Sequence, residues 1–274
     1  MKRMRIMGLC LVAVFAVGAF AASSAFALPE IIKCQANENG KYVNSSCTKK
    51  AGAIESEEQF EISKVTTKAG FTTKSGESFL ETENGTKITC LSSSATGKYD
   101  YDPLAAAKEV ENVISTFKSC SIPAAKAVCT GVGAAEGEIK TFGLYGPLGY
   151  INKTKKEVGQ ELKTEVNSIL NPKKRFARFE CAGFGLTEVG EGTGKGHNCI
   201  ISAITSPVDV MTLTGKQLYS SAIVNTLKVQ FPQKFETATT TCAVETKLGE
   251  GPWEHSIQNQ EVETENEEEL EILA

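Results

Sequence analysis

From Leu28 onward the chain is organised in short runs in which apolar or β-branched residues occupy every second position, separated by Gly, Asn and Ser. Alternation of this kind puts one set of side chains on each face of an extended strand, so it predicts half-buried β-strands rather than helices. Runs of this type cover Gln59 to Ser63, Gly70 to Thr82 and Thr86 to Cys90, then "EGEIKTF", "LGYI", "RFARFEC", "CIISAIT" and "NTLKVQF". Between "FLETE" and "TKITC" stands Asn84-Gly85, a pair that tolerates the positive φ angles of a two-residue hairpin turn. Many short strands with regular turn punctuation predict a mainly β fold, an antiparallel β-sandwich or β-barrel.

Two segments read both ways. In "DPLAAAKEVENVISTF", Asp102 and Pro103 suit a helix start, and Leu104, Ala107, Val110, Ile114 and Phe117 would share a helical face; "VENVISTF" also alternates as a strand. In "KKEVGQELKTEVNSIL", Val158, Leu162, Val166 and Ile169 fall on one helical face, with Gly159 weakening the pattern. Residues 102–117 and 155–170 therefore stand as one or two short helices or as further strands. After Trp253 the chain is acidic and polar until "LEILA", the pattern of a solvated segment, residues 253–274, whose end returns as a strand.

The first 27 residues have a different character. Lys2, Arg3 and Arg5 precede an apolar run from Ile6 to Phe20 and a small-residue "AFA" at Ala25 to Ala27, the layout of a secretory signal peptide cut before Leu28. The expected organisation is residues 1–27 as signal, 28–252 as one disulfide-stapled β domain, and 253–274 as the acidic segment. Losing three of the 29 basic residues against 33 acidic ones moves the formal charge from −4 to about −7. That sign argues against nucleic acid or an anionic membrane as partner, and no later apolar run is long enough to span a bilayer.

Export changes the meaning of the cysteines. Setting aside Cys10 in the signal run, Cys34, Cys47, Cys90, Cys120, Cys129, Cys181, Cys199 and Cys242 are an even set in an oxidising compartment, which implies four disulfides. Cys34 with Cys47 and Cys120 with Cys129 would each close a short loop; the other four can pair in three ways. A metal site is disfavoured by spacing: there is no C-x-x-C, and His197 and His255 lack ligand-like neighbours. His197 stands two residues before Cys199, but a nucleophilic Cys199 would require a thiol left out of the bridges.

"GEGTGKG", Gly190 to Gly196, has the look of a phosphate cradle. It has Val189 where the first turn glycine belongs and Gly196 where the metal-holding hydroxyl belongs, so it reads as a flexible connection between strands. Neither G-x-S-x-G nor H-E-x-x-H occurs, and no calcium loop pattern accompanies the acidic residues. No catalytic, cofactor-binding or metal-binding residue is assigned.

The order "C…GKYVNSSC", "FEI", "SFLETENGTKITC", "GEIKT", "LGYI", "EVGQEL", "FARFEC" and "NEEELEIL" resembles a set of uncharacterised secreted proteins of soil actinobacteria. The resemblance implies export and a β-rich fold, makes "EVGQEL" more strand-like, and carries no activity. Against that pattern Cys199 and Cys242 are additions, which pairs them with each other and leaves Cys90 for Cys181. The leading functional expectation is a non-enzymatic binding or structural module at or outside the cell surface, its partner a ligand, a glycan or another protein. Tyr99, Tyr101, Tyr145, Tyr150 and Trp253 are the aromatic candidates for a glycan platform. The alternatives are a secreted hydrolase using a carboxylate pair roughly 5 to 10 Å apart, and a protease-inhibitor-like protein presenting "SIPAAKAV".

Overall fold

The computed structural model describes residues 28–50, 59–65, 69–100, 108–164, 171, 173–190 and 197–274. The apolar N-terminal run with Cys10, Tyr101, the start of the 102–117 segment, Val166 and Ile169, and residues 191–196 of the glycine-rich string lie outside them. Among the described residues there is no α-helix, only one turn of 3-10 helix at Pro123–Ala125.

Nineteen strands follow in order: β1 Glu30–Ala36, β2 Phe60–Lys64, β3 Gly70–Ser75, β4 Ser78–Thr82, β5 Lys87–Cys90, β6 Ser92–Tyr99, β7 Glu109–Lys118, β8 Ser121–Ile122, β9 Ala127–Gly131, β10 Ile139–Lys140, β11 Leu144–Asn152, β12 Glu157–Thr164, β13 Arg175–Cys181, β14 Gly185–Gly190, β15 His197–Ile204, β16 Thr212–Val224, β17 Leu227–Phe231, β18 Cys242–Leu248 and β19 Trp253–Leu273. Their pairings close into a barrel, not a sandwich. One antiparallel ring runs β3, β6, β7, β11, β12, β15, β16, β19 and back to β3. A second runs β4, β5, β8, β9, β13, β14, β18, β19 and back to β4. The chain passes directly from β3 into β4, from β5 into β6 and from β7 into β8, so the two rings are joined end to end around one core. Closure leaves neither ring with an unpaired edge. β1 and β2 lie outside, β1 pairing with the last residues of β19, and β17 lies on β16.

Over the described residues, both helix readings give way to strands, Glu109–Lys118 and Glu157–Thr164. In β7, Asn112 has φ 53° and the ladder shifts register there, so Val110 and Val113 both face inward. Ile114, which a helix would have buried, is 44% exposed. In β12, Val158, Gln160, Leu162 and Thr164 alternate as buried positions of a strand.

The acidic segment is the largest correction. Residues 253–273 form the longest strand, pairing with β18 and β4 through its first half, with β16 and β3 through its second, and with β1 at its end. Gln260, Val262 and Thr264 turn inward while Glu261, Glu263 and Glu265 turn outward. Alternation of acidic with neutral residues keeps the charges at 261, 263 and 265 on the outer face.

The four bridges are Cys34–Cys47, Cys90–Cys120, Cys129–Cys181 and Cys199–Cys242. The expected Cys120–Cys129 and Cys90–Cys181 pairs are replaced. Cys129 N–H donates to the Cys120 carbonyl at 2.9 Å, so the two cysteines do face each other across the β8–β9 hairpin. Each sulfur instead bonds to the strand on its other side, Cys120 to Cys90 at the end of β5, and Cys129 to Cys181, its register partner on β13. The four form a row across four neighbouring strands, and proximity along the chain does not decide which neighbours join.

Candidate functional site

Inside the barrel the inward positions of both rings make one apolar core, including Phe71, Ile88, Val113, Leu144, Leu162, Phe179, Val244 and Val262. The core is incompletely filled. A cavity of about 140 Å³ is lined by residues from both rings, and none of the lining residues is Asp, Glu, Lys, Arg or His. Glycine creates part of this geometry: a Cβ on Gly97 would stand 2.4 Å from the tip of the Phe71 ring, so glycine in β6 lets that ring approach the wall.

The polar groups of the interior are neutral and mostly tied to one another. Gln160 Nε2 donates to the Gly146 and Glu161 carbonyls, both at 2.8 Å, and so braces the wall. Ser202 Oγ donates to Gln217 Oε1 at 3.1 Å, and the neighbouring Tyr219 phenol shares Ser202. Burial pushes the Tyr219 phenol up to about 12, with Ser202 partly offsetting it, so it is neutral at physiological pH. On β19, Gln258 Nε2 donates to Gln260 Oε1 at 2.6 Å, and Gln260 Nε2 donates to Ser93 Oγ of β6 at 2.6 Å. Gln230 of β17 accepts from the Gln258 main-chain N–H at 2.7 Å, which fixes the start of this relay. Sequence reasoning missed these residues because Gln and Ser on an inner face do not register as an apolar pattern. The available signal was Gln258 and Gln260 at period two, with Gln217 and Tyr219 repeating it on the paired strand β16.

The other candidates are dispersed. Tyr99, Tyr145, Tyr150 and Trp253 are half-buried. Tyr99 donates its O–H to Asn266 at 2.7 Å, Lys163 lies over Tyr145 at 5.2 Å, Lys153 over Tyr150 at 5.7 Å, and the Arg175 guanidinium over Trp253 at 4.4 Å. The most buried carboxylates among the described residues are Glu245 and Glu271. Glu245 faces position 255 of β19 and Glu271 lies on β19 itself. Positions 255 and 271 are roughly 50 Å apart along the strand contour. Asp209 binds the Ala274 N–H at 2.9 Å and pairs with Lys156, a clasp of the last residue onto the β11–β12 turn. Glu161 and the sulfurs of Cys199 and Cys242 lie within 4.8 Å of one another, but both sulfurs belong to a disulfide and offer no thiolate to a metal. "SIPAAKAV" is a tight 3-10 turn with Ile122 and Ala127 buried, not an extended loop.

A disulfide-stapled, closed antiparallel β-barrel with a neutral, largely apolar interior is the class of protein that fold and cavity define. Beyond that class, no known protein family, curated protein or solved structure matches the chain. Among the described residues no helix is long and apolar enough to cross a membrane. The barrel's outer face carries charge, as at Lys74, Lys216, Glu261, Glu263 and Glu265, all exposed.

Proposed function

We propose that this is an exported, non-catalytic binding protein that holds a small apolar molecule inside its barrel. The observation that carries the reading is the cavity of about 140 Å³ in the apolar core. Protein interiors leave few voids larger than a water molecule, and an apolar void of about 150 Å³ stays dry and takes a benzene-sized guest. Eight-stranded barrels have interiors wide enough either to fill with side chains or to hold one small ligand. Export is supported by the four disulfides, which form and persist in oxidising compartments. The non-catalytic reading is supported by the absence of Asp, Glu, Lys, Arg and His from the residues lining the cavity.

Titration of the disulfide-bonded protein with toluene, followed by methyl NMR, tests the reading. Saturable shifts confined to methyls such as those of Leu144, Leu162, Val244 and Val262 are expected. Shifts absent, or spread evenly over the outer surface, would rule it out.

A further inference from the structure

The cavity's polar groups say more about its occupant than its size does. Gln258 and Gln260 lie on one face of β19 and both line the cavity, as does Ser93 across the wall on β6. Their side chains form a directed relay, Gln258 to Gln260 to Ser93, in which each amide N–H is given to the next oxygen at 2.6 Å. Each amide spends one of its two N–H groups on the relay, and the two end atoms of the relay are left open. The Ser93 hydroxyl hydrogen remains to be donated at one end and the Gln258 carbonyl oxygen to accept at the other; among the described residues neither has a further partner. Turning both amides over exchanges the two ends without closing either, since a primary amide and a hydroxyl each both donate and accept. No lining side chain carries a charge, so an ionised group entering the cavity would give up water and find no counter-charge.

We propose that the bound molecule is electrically neutral and apolar over most of its surface, carrying one hydroxyl, carbonyl or amide group that the Gln258–Gln260–Ser93 relay orients. This rests on the binding reading above and narrows it: hydrocarbon-like alcohols, ketones and amides are ligands, whereas carboxylates and ammonium ions of the same shape are excluded. The remaining interior amides have partners outside the relay. Gln160 is spent on main-chain carbonyls and Gln217 accepts from Ser202.

The test is a titration of the disulfide-bonded protein at pH 7 with four probes of similar shape, toluene, benzyl alcohol, benzoate and benzylammonium. Calorimetry gives the affinities and methyl NMR the location. Benzyl alcohol should bind about fivefold to tenfold more tightly than toluene, the gain of one well-made neutral hydrogen bond, and the two ions at least about 100-fold more weakly than the alcohol. Gln260→Met should abolish the preference, bringing benzyl alcohol and toluene to the same affinity. Ser93→Ala should repeat the effect from the far end of the relay, so that a folding defect in one variant does not remove the test. Benzoate or benzylammonium binding as well as the alcohol would overturn the inference and leave the binding reading standing. So would an alcohol preference that survives both substitutions. No probe binding at all would overturn both.

Discussion

The two rings of the barrel hold together by different means. In the ring of β3, β6, β7, β11, β12, β15 and β16, every strand has at least six residues and β16 has thirteen, and no disulfide joins two of them. In the ring of β4, β5, β8, β9, β13, β14 and β18, strands run from two to seven residues, and Cys90–Cys120 and Cys129–Cys181 bridge neighbouring strands. Cys199–Cys242 ties the first ring to the second where β15 and β18 run parallel for two residues. Where the ladder is long, main-chain hydrogen bonds and side-chain packing close the wall; where it is short, covalent bonds between adjacent strands stand in for them.

The sharpest way to break this comparison is to remove a staple. The Cys129→Ala, Cys181→Ala double variant opens a bridge spanning 52 residues in the short-strand ring and should lower stability by about 4 kcal/mol. Opening Cys34–Cys47, which spans 13 residues on the outer strands, should cost about 3 kcal/mol or less. Denaturant midpoints measure both, and a larger loss from the outer bridge would show that the short-strand ring does not depend on its staples.

The long-strand ring should be sensitive to steric change in the wall instead. A Cβ on Gly146 in β11 would lie 2.0 Å from the Glu161 carbonyl oxygen of β12, so Gly146→Ala should cost about 1 to 3 kcal/mol. Gly76→Ala, where a Cβ meets nothing within 4 Å, should stay within about 0.5 kcal/mol. Thermal melts of the pair distinguish a wall held by close strand approach from a loosely fitted one.

A smaller effect separates the clasp at the end of β19 from both walls. Burial, with the nearby Asp209 charge adding to it, raises the Glu271 carboxyl above its ordinary 4.5, so the native state favours the protonated form. That contribution is fully present below pH 4.5 and is lost as pH rises through the raised native value, so Glu271→Gln should stabilise the protein at pH 7 and change little below pH 4. Asp209 has the opposite sign: burial works against its charge, but the Ala274 N–H and Lys156 outweigh it and hold the carboxyl below 3.8. Its contribution is present above pH 3.8 and is lost as pH falls through the lowered native value, so Asp209→Asn should destabilise at neutral pH and converge with the parent in acid. Urea unfolding across pH 3 to 8 reads both, and parallel profiles for either variant and the parent would refute the corresponding assignment. The least effect is expected from Lys216→Ala, whose exposed pairs with Glu261 and Glu263 should contribute below about 0.5 kcal/mol by the same unfolding assay at pH 7.

Strands whose inner face is apolar were legible from alternation alone. The position of the Asn84-Gly85 hairpin between β4 and β5 was legible too, but not its form: only Gly85 has a positive φ, 86°, and its N–H donates to the Thr82 carbonyl, so the turn centres on Glu83-Asn84 rather than on the expected pair. β7 and β12 were ambiguous because a register shift or an inward Gln breaks the period of two, and helical spacing appears by coincidence. β19 was hidden for a stronger reason. Its outer positions are acidic and its inner ones include Gln and Thr, so hydropathy carries no alternation although charge does. The candidate site suffered the same fate, since Ser93, Gln258 and Gln260 acquire meaning only when β6 and β19 are placed across one interior.

The sequence by itself determined that the chain is extended, antiparallel and rich in cysteines able to bridge, because period-two patterning, turn chemistry and an even cysteine count act locally or by arithmetic. Only the tertiary structure decided which strands neighbour which. That choice fixed the barrel over the sandwich, joined Cys90 to Cys120 and Cys129 to Cys181, and drew an acidic segment into the wall of both rings. The physical reason is that strand pairing and disulfide choice depend on contacts between residues 30 to 200 positions apart, whose energies no local window of the chain contains.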